Sequence, residues 1–373
     1  MPTGLMLFSV VLSCATGLFA PACCAATKTW TGRDSGNWSG ASNWRPAGAP
    51  QNGENLLFDP DEVESSVRKE MHNDIVGLQV GRIDFCDFGW TLDGNELTLL
   101  DRVGFRQSQT NTCADNSFRF DCPLKLGATT RMATAEGGGT LFLRGYIDLN
   151  GNDLLLHSGD QIFVSGQILG TGNVIATVDS FFGADSKIVF DGPTGNTFSG
   201  KLTIRQIYDD TGVVIFDKQF GHVVNDALLI GDRGFSLSAR PAVCKLANSH
   251  QIGDAAEVCV TGGSQFLLDG HTETIGSLCL TNNGTDTAAT LVDTGGSTLS
   301  VQGDIIAVND AAGVVPTIKG KLGLPGPGPS GAKAVSSSTS RSMLRTPDAL
   351  VLVPGSDRPS LSQSPQQVFQ VTK

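Results

Sequence analysis

Short apolar runs separated by glycine, asparagine or aspartate form the main pattern along this chain. Runs of this length, rich in leucine, isoleucine, valine and phenylalanine, are typical of β-strands bounded by turns. The connections between them are too short to hold helices, so the pattern excludes a doubly wound α/β fold. The predicted strands include TLFL (140–143), YIDL (146–149), DLLLH (153–157), QIFV (161–164), NVIAT (173–177), KIVF (187–190), KLTI (201–204) and VVIF (213–216).

The spacing of the later runs indicates how the strands are arranged. Val260 precedes Leu280 by 20 residues, and Leu280 precedes Val301 by 21. A parallel β-helix produces such a period, because each coil must return to stack on the previous one. We therefore predict an all-β, right-handed parallel β-helix (a β-solenoid) with its repeats over residues 61–322. A β-sandwich is the alternative, although its turn signals would lack this longer repeat.

Three of the four tryptophans, Trp30, Trp38 and Trp44, lie close together near the start of the chain. The open end of a β-helix exposes backbone groups and an apolar interior, so a tryptophan-rich cap over residues 27–60 would cover it. Alternatively, the rings form a platform for glycans, which requires solvent-facing, coplanar indoles. The strand pattern begins directly after these residues, and a first repeat is expected to be atypical, which favours the cap.

Residues 4–20 form an apolar run too short for a comfortable membrane span, and the small residues of PACCAA follow it. This pattern predicts a secretory signal peptide over residues 1–26, although its first residues include no lysine or arginine. The protein is then expected to be secreted or held at the cell surface. No later hydrophobic segment is long enough to cross a bilayer, so we expect no transmembrane anchor of its own.

Composition and charge narrow the classes of partner. The chain contains 46 glycines, and only 17% of its residues are charged, as suits many short strands joined by tight turns. The net charge is −11 and the 26 basic residues are scattered. These features argue against nucleic acid and anionic membranes as partners.

Six cysteines remain once the signal peptide is set aside, and in an oxidising compartment an even number permits disulfides. Cys113 and Cys122 form the most local candidate pair, whereas Cys259 and Cys279 could equally be small apolar core residues. No pair has the C-x-x-C spacing, and the five histidines are dispersed without a partner at ligand spacing. We therefore expect no metal site and no cofactor.

Carboxylates are the residues that a β-helix enzyme would need, since polysaccharide lyases and glycosidases rely on clustered acidic groups. Most candidates lie beside glycine or asparagine, where aspartate is expected as a turn residue. Convergence of three or more in one groove, with a base such as Arg205 nearby, would favour an enzyme; dispersion favours a structural protein. The candidates are Asp148, Asp153, Asp160, Asp179, Asp185, Asp191, Asp209 and Asp210.

The segment ANSHQIGDAAEVCVTGGSQFLLDGHTETIGSLCLTNNG (247–284) resembles the repeat of autotransporter-associated β-strand repeat proteins of Gram-negative bacteria. Further likeness lies in residues 138–173, in DGPTGNTFSGKLTI (191–204) and in the tryptophan-rich opening, residues 29–59. The resemblance implies a passenger-type β-helix in a bacterium. These motifs are structural, so they indicate a fold and say little about activity.

The last fifty residues depart from the strand pattern. Residues 323–373 are rich in proline, glycine and serine, which predicts a disordered tail, truncated or out of pattern, in which only ALVLV (349–353) has strand character. The sequence thus predicts a secreted or cell-surface structural or adhesive protein without its own catalytic site, which contacts surface glycans or other surface proteins. The alternatives are a polysaccharide lyase or glycosidase on the same fold, and a glycan-binding module centred on the tryptophans.

Overall fold

The computed structural model describes most of the chain from residue 25 to residue 324 and two short segments beyond it. The described residues are 25–59, 67–86, 89–105, 117–134, 139–179, 186–208, 212–232, 239–283, 286–309, 314–324, 334–337 and 351–353. Residues 1–24 of the expected signal peptide and most of the expected tail therefore lie outside the described residues.

The described chain is built from short strands, with one 3-10 turn at Ala41–Asn43. The first strands are β1 Thr27–Trp30, β2 Trp44–Arg45, β3 Asn55–Phe58, β4 Glu70–Asn73, β5 Gln79–Val80, β6 Ile83–Phe85, β7 Trp90–Gly94, β8 Leu97–Leu99, β9 Arg102–Phe105, β10 Ser117–Phe120, β11 Leu124–Leu126 and β12 Thr130–Ala133. Next come β13 Thr140–Leu143, β14 Ile147–Asp148, β15 Leu154–Ser158, β16 Gln161–Val164, β17 Ile168–Leu169, β18 Val174–Asp179, β19 Lys187–Phe190, β20 Lys201–Ile207, β21 Val213–Phe216 and β22 Ala227–Ile230. The last are β23 Ala239–Arg240, β24 Val243–Leu246, β25 Glu257–Thr261, β26 Gln265–Leu267, β27 Glu273–Ile275, β28 Ser277–Asn282, β29 Leu291–Val301, β30 Ile305–Asn309, β31 Thr317–Gly323, β32 Ala334–Ser337 and β33 Val351–Val353.

These strands stack into three sheets that run along the molecule. Sheet A has the order β2-β1-β3-β6-β9-β12-β15-β18-β20-β22-β25-β28-β30-β32, and β23 pairs with β20. Sheet B has the order β33-β31-β29-β26-β24-β21-β19-β16-β13-β10-β7-β4, and β27 pairs with β29; sheet C has the order β17-β14-β11-β8-β5. Neighbours pair in parallel except β1 with β2 and β20 with β23. Each coil contributes a strand to sheet A and then to sheet B, so the fold is a β-solenoid of about ten turns, as predicted. The parallel pairing excludes the β-sandwich.

Alternation of side chains along each strand produces the core. In sheet B, one buried residue from each of eight successive coils lies directly opposite the next: Leu141, Ile162, Ile188, Val214, Cys244, Phe266, Val292 and Ile318. Each of these side chains is at most 1% exposed. Burying one side chain of this size stabilises the fold by about 1.5–3 kcal/mol. A one-residue slip would turn the whole row outward, so the apolar pattern specifies the register.

The period read from the sequence is correct for one coil and wrong for the next. Val260 and Leu280 are register partners in sheet A. Leu280, however, lies opposite Ala307, and Val301 belongs to sheet B, where it lies opposite Ile275. The reason is that this coil has a longer connection between β28 and β29, so equal spacing in sequence does not mean equal position in the coil.

Both ends of the described solenoid continue its sheets. At the first end, β1 pairs in parallel with β3 and antiparallel with β2, so these three strands extend sheet A at the end where the cap is expected. At the other end, β33 lies within the run expected to have strand character, but Ala334–Ser337, expected to be irregular, is strand β32. Strand β33 pairs with β31 and strand β32 pairs with β30, so the two strands add one further layer to sheets B and A.

The longest connections lie at a single corner of the coil. Between residues 59 and 314, every segment outside the described residues follows a strand of sheet A and precedes the next strand of sheet B. The connections from sheet B back to sheet A vary little in length and are described throughout this range. Most of the variation in coil length therefore lies at the corner between sheets A and B.

Candidate functional site

The three tryptophans at the start of the chain are buried. Trp30 and Trp38 are 0% exposed and Trp44 is 2% exposed. The Trp44 ring meets Trp30 at 71° and Trp38 at 82°, with centroids 4.9 and 5.6 Å apart. The indole N–H of Trp30 donates to the carbonyl of Arg68, and that of Trp44 to the carbonyl of Trp38, both at 2.8 Å. The rings are neither exposed nor coplanar, so the condition for a glycan platform is not met, and the cluster lies buried at the first end of the solenoid, where the cap is expected.

An aromatic column continues from this cap into the first coils. Phe58 stacks on Trp38 at 6.0 Å and contacts Trp90 at 5.8 Å and Phe118 at 5.9 Å between ring centroids. Phe85 stacks on Phe118 at 4.3 Å. Sequence reasoning treated the tryptophans as an isolated group and missed this column. The signal available was the recurrence of an aromatic residue on the inward side of β3, β6, β7 and β10.

The candidate carboxylates do not converge. Asp185, Asp209 and Asp210 lie outside the described residues, and the other five are distributed over all three sheets. Asp148 is in sheet C, Asp153 and Asp179 border strands of sheet A, and Asp160 and Asp191 border strands of sheet B. Four of them accept local bonds: Asp148 from the Asn150 amide at 2.9 Å, Asp153 from the Asn173 amide at 2.9 Å, Asp160 from the Gly139 amide at 3.0 Å and Asp191 from the Ser165 hydroxyl at 2.7 Å. These contacts hold turns and neighbouring coils together.

The fifth carboxylate belongs to a small polar group on the outer face of sheet A. His157 Nε2 lies 3.1 Å from Asp179 Oδ2, while Asp179 Oδ1 is buried without a hydrogen-bond partner among the described residues. One coil further on, Arg205 Nη2 pairs with Asp232 at 2.7 Å. Thr177 lies between His157 and Arg205 in the register of the sheet. The group contains one of the candidate carboxylates, not the three that would favour an enzyme.

Buried amides hold the coils together after sheet C ends. Sheet C stops at β17, and the coils that follow are joined on this side by isolated bridges and single backbone hydrogen bonds. Asn196 adds to them by accepting from the Ile168 amide at 3.0 Å and donating to the Val223 carbonyl at 2.8 Å. Gln251 likewise accepts from the Lys218 amide at 2.8 Å and donates to its carbonyl at 3.0 Å. Sequence reasoning missed both, because an isolated amide side chain has no pattern that reveals its burial.

Two ionisable side chains are buried in the same region. Glu273 is 1% exposed and accepts from the amides of Gln251 at 2.6 Å and Thr274 at 3.0 Å, yet burial raises its pKa to about 7. Lys218 is 0% exposed, and burial lowers its pKa to about 8. Its ammonium donates to the carbonyls of Val164 at 3.3 Å, Ser165 at 3.3 Å and Gly166 at 2.9 Å. The bonds of Glu273 link neighbouring coils and those of Lys218 reach across two coils, so both groups have a structural role in this position.

The cysteines divide into two kinds. Cys122 and Cys244 are 0% exposed, and burial raises the pKa of each thiol, that of Cys122 to about 12. The pairing of Cys113 with Cys122 stays a prediction, because Cys113 lies outside the described residues. Cys259 and Cys279 are partly exposed on the outer side of sheet A, so neither is a core residue. Within the described ranges, no group of three histidine, cysteine or acidic side chains is placed to hold a metal ion.

The outer side of sheet B carries a continuous row of aligned residues, one from each coil. We call this set the sheet B outer row: Glu70, Thr91, Arg119, Phe142, Phe163, Val189, Ile215, Lys245, Leu267, Asp293 and Lys319. Its centre is apolar from Phe142 to Ile215, and its two ends are charged. Phe142 and Phe163 stack at 5.3 Å with 15° between their planes.

Cationic side chains surround this aromatic pair. The Arg119 and Arg144 guanidinium groups lie 5.6 and 5.7 Å from the Phe142 ring centroid, and the Lys187 ammonium lies 5.4 Å from that of Phe163. Such contacts are attractive because the ring face carries partial negative charge. The centre of the sheet B outer row is therefore an apolar strip with a positive border on an otherwise acidic protein.

None of the helical structure in the described part of the chain is long and apolar enough to span a membrane. Searches against protein-family models, curated proteins and solved structures each return no match. The geometry of the solenoid and its surfaces is therefore the basis for any statement about function.

Proposed function

We propose that this chain is an exported, passenger-type β-solenoid with a structural or adhesive role, and that it contacts surface proteins or glycans through its long lateral faces. The observation that carries the proposal is the sheet B outer row, which presents an apolar strip across successive coils. Surface strips of this kind, bordered by charge, are typical of interaction sites. The resemblance of residues 247–284 to autotransporter-associated repeats supports the passenger class.

The chemistry of the strip favours a protein partner over a stacked sugar. A sugar ring stacks on an open aromatic face, whereas the faces of Phe142 and Phe163 are turned toward each other and toward cationic groups. Their edges and the partly exposed Ile215 suit an apolar surface with acidic residues around it. Glycans remain the second class of partner.

The repeated architecture suits weak contacts made many times. Adjacent coils are about 4.7–4.9 Å apart, so a row of ten or so residues offers a long surface to a partner with repeated features. Contacts that are weak singly add to strong attachment when they are linked on one rigid body.

The test compares two pairs of outward apolar residues taken from neighbouring strands of the same coils. Phe142→Ser with Phe163→Ser alters the sheet B outer row, and Leu155→Ser with Ile175→Ser alters aligned, partly exposed residues on sheet A. The full chain and both variants are applied to arrays of purified surface proteins and of glycans. We expect attachment to surface proteins that only the sheet B variant loses. Equal loss in both variants, or no attachment by any form, would contradict the proposal.

The alternative function is a polysaccharide lyase or glycosidase, and the observation that favours it is the group formed by His157, Asp179 and Arg205. An aspartate oxygen that is buried and unpaired beside a histidine is a feature found at catalytic sites. The test is release of new reducing ends from a panel of polysaccharides by the full chain. Turnover that Asp179→Asn abolishes, while Asp191→Asn leaves it unchanged, would replace the adhesive proposal with this one.

A further inference from the structure

Two cysteines face each other on neighbouring coils of sheet A. Cys259 in β25 and Cys279 in β28 are register partners in a parallel pair of strands. Because Val258 and Val260 on either side of Cys259 point into the core, the thiol of Cys259 points outward, and the same alternation applies to Cys279. The structure thus brings together two thiols that are twenty positions apart in the sequence.

The register places the two thiols side by side on the outer face of sheet A, and the Cys279 sulfur lies 3.6 Å from the hydroxyl of Thr281. The interaction with Cys259 lowers the pKa of Cys279, and the same interaction raises the pKa of Cys259. The Thr281 hydroxyl adds to the difference between the two pKa values, because it stabilises the thiolate of Cys279 and not that of Cys259. The nearby Glu257 carboxylate acts on both thiols in the opposite direction, raising the pKa of each.

The surroundings allow a reaction between the two sulfurs and do not provide a metal site. Along the outer row of sheet A, Leu229 lies opposite Cys259 on one side and Ile306 lies opposite Cys279 on the other. Neither neighbour is a metal ligand, and Ile306 is 40% exposed, so the pair is accessible from that side. A disulfide requires Cα atoms about 4.4–6.8 Å apart, and neighbouring strands lie about 4.7–4.9 Å apart.

We propose that Cys259 and Cys279 form a redox-active dithiol on the outer face of sheet A, which small-molecule or protein disulfides oxidise to a disulfide between neighbouring coils. The Cys279 thiolate attacks one sulfur of the incoming disulfide, which breaks and releases its other sulfur as a thiolate. Cys259 then loses its proton to solvent and attacks the Cys279 sulfur, releasing the second thiol. Two electrons and two protons pass from the chain to the oxidant, which leaves as two thiols.

The backbone is already in place for this bond. Both strands are held by their neighbours, β22 on one side and β30 on the other, so closure requires rotation of two side chains and no rearrangement of the coils. The proposal does not depend on the adhesive function, because it concerns sheet A and chemistry that is independent of the sheet B outer row.

The test uses the full chain in buffers of reduced and oxidised glutathione, quenched with acid and alkylated. A protease that cleaves after glutamate separates the two cysteines, since Glu257 and Glu273 lie before and between them. We expect a disulfide-linked pair of peptides containing Cys259 and Cys279, which disappears on treatment with dithiothreitol. The buried Cys244 serves as an internal control and is expected to remain a thiol.

Single variants test the order of the two steps. In Cys259→Ser, we expect Cys279 to accumulate as a mixed disulfide with glutathione, because the second thiol is missing. In Cys279→Ser, we expect Cys259 to remain reduced under the same conditions. Failure of the wild-type chain to form the linked peptides, or linkage of either cysteine to a different one, would overturn the proposal. Equal glutathione labelling in the two variants would contradict the assigned roles.

Discussion

Replacement of Trp44 tests whether the tryptophan cluster stabilises the end of the solenoid. Its side chain is 2% exposed, packs edge-on against Trp30 and Trp38, contacts Phe58, and donates a hydrogen bond to the Trp38 carbonyl. Removing a buried tryptophan costs about 3–5 kcal/mol in free energy of unfolding, which includes the cavity left behind. We therefore expect Trp44→Ala to lower the free energy of unfolding by about 4 kcal/mol.

A second substitution separates packing from hydrogen bonding. Trp44→Phe keeps most of the buried aromatic surface but leaves the Trp38 carbonyl without its donor, which costs about 1–3 kcal/mol. The control is Phe220→Ala, since Phe220 is 73% exposed and its loss is expected to change stability by less than about 0.5 kcal/mol. Unfolding in guanidinium chloride, followed by far-ultraviolet circular dichroism, gives the three values.

The strands that lose amide-exchange protection in Trp44→Ala test the assignment as directly as the change in the free energy of unfolding. Each coil of a solenoid contacts only its neighbours, so loss of the cap should reduce amide-exchange protection in β3, β4 and β6 and leave β25 and β28 unchanged. If Trp44→Ala matched Phe220→Ala in stability, or if protection fell evenly along the chain, the assignment of Trp44 to a stabilising cap would be wrong.

Three further predictions concern the buried charges and the packing of the coils. Glu273 has a pKa of about 7 in the folded chain against 4.5 ordinarily, so between these pH values the folded chain retains a proton that the unfolded chain loses. The free energy of unfolding should therefore fall by about 3 kcal/mol as the pH rises between these two values. Glu273→Gln should remove this dependence in denaturation curves. Lys218 has a pKa of about 8 in the folded chain against 10.5 ordinarily, so between these pH values the unfolded chain holds a proton that the folded chain has lost. The free energy of unfolding should therefore rise by about 3 kcal/mol as the pH rises from about 8 to 10.5. Denaturation curves of Lys218→Met should lack this rise, and an unchanged dependence on pH would contradict the burial of the Lys218 ammonium. A Cβ atom on Gly166 would overlap the carbonyl of Gly145, so Gly166→Ala should lower the free energy of unfolding by about 1–3 kcal/mol and lower the thermal midpoint with it. Gly104→Ala is the control, because nothing lies within 4 Å of the added atom, and it should leave the midpoint unchanged.

Much of the strand pattern was available from the sequence because it depends on local chemistry. A run such as TLFL (140–143) contains its own alternation, and turn residues bound it, so β13 matches the prediction residue for residue. The parallel solenoid followed from the requirement that such short strands stack on one another. The register was less accessible, as the wrong pairing of Leu280 with Val301 shows, because a longer connection moves a residue from one sheet to another without changing its local pattern.

The sequence by itself determined the β class, the short strands and the atypical tryptophan-rich start, since hydrophobic periodicity and turn residues act over a few positions. Only the tertiary structure decided which residues meet across coils. It turned Cys259 and Cys279 outward as a pair, buried Lys218 and Glu273, and aligned Phe142 with Phe163. These contacts join residues about twenty or more positions apart through the stacking of coils, so their geometry depends on the length of every intervening turn.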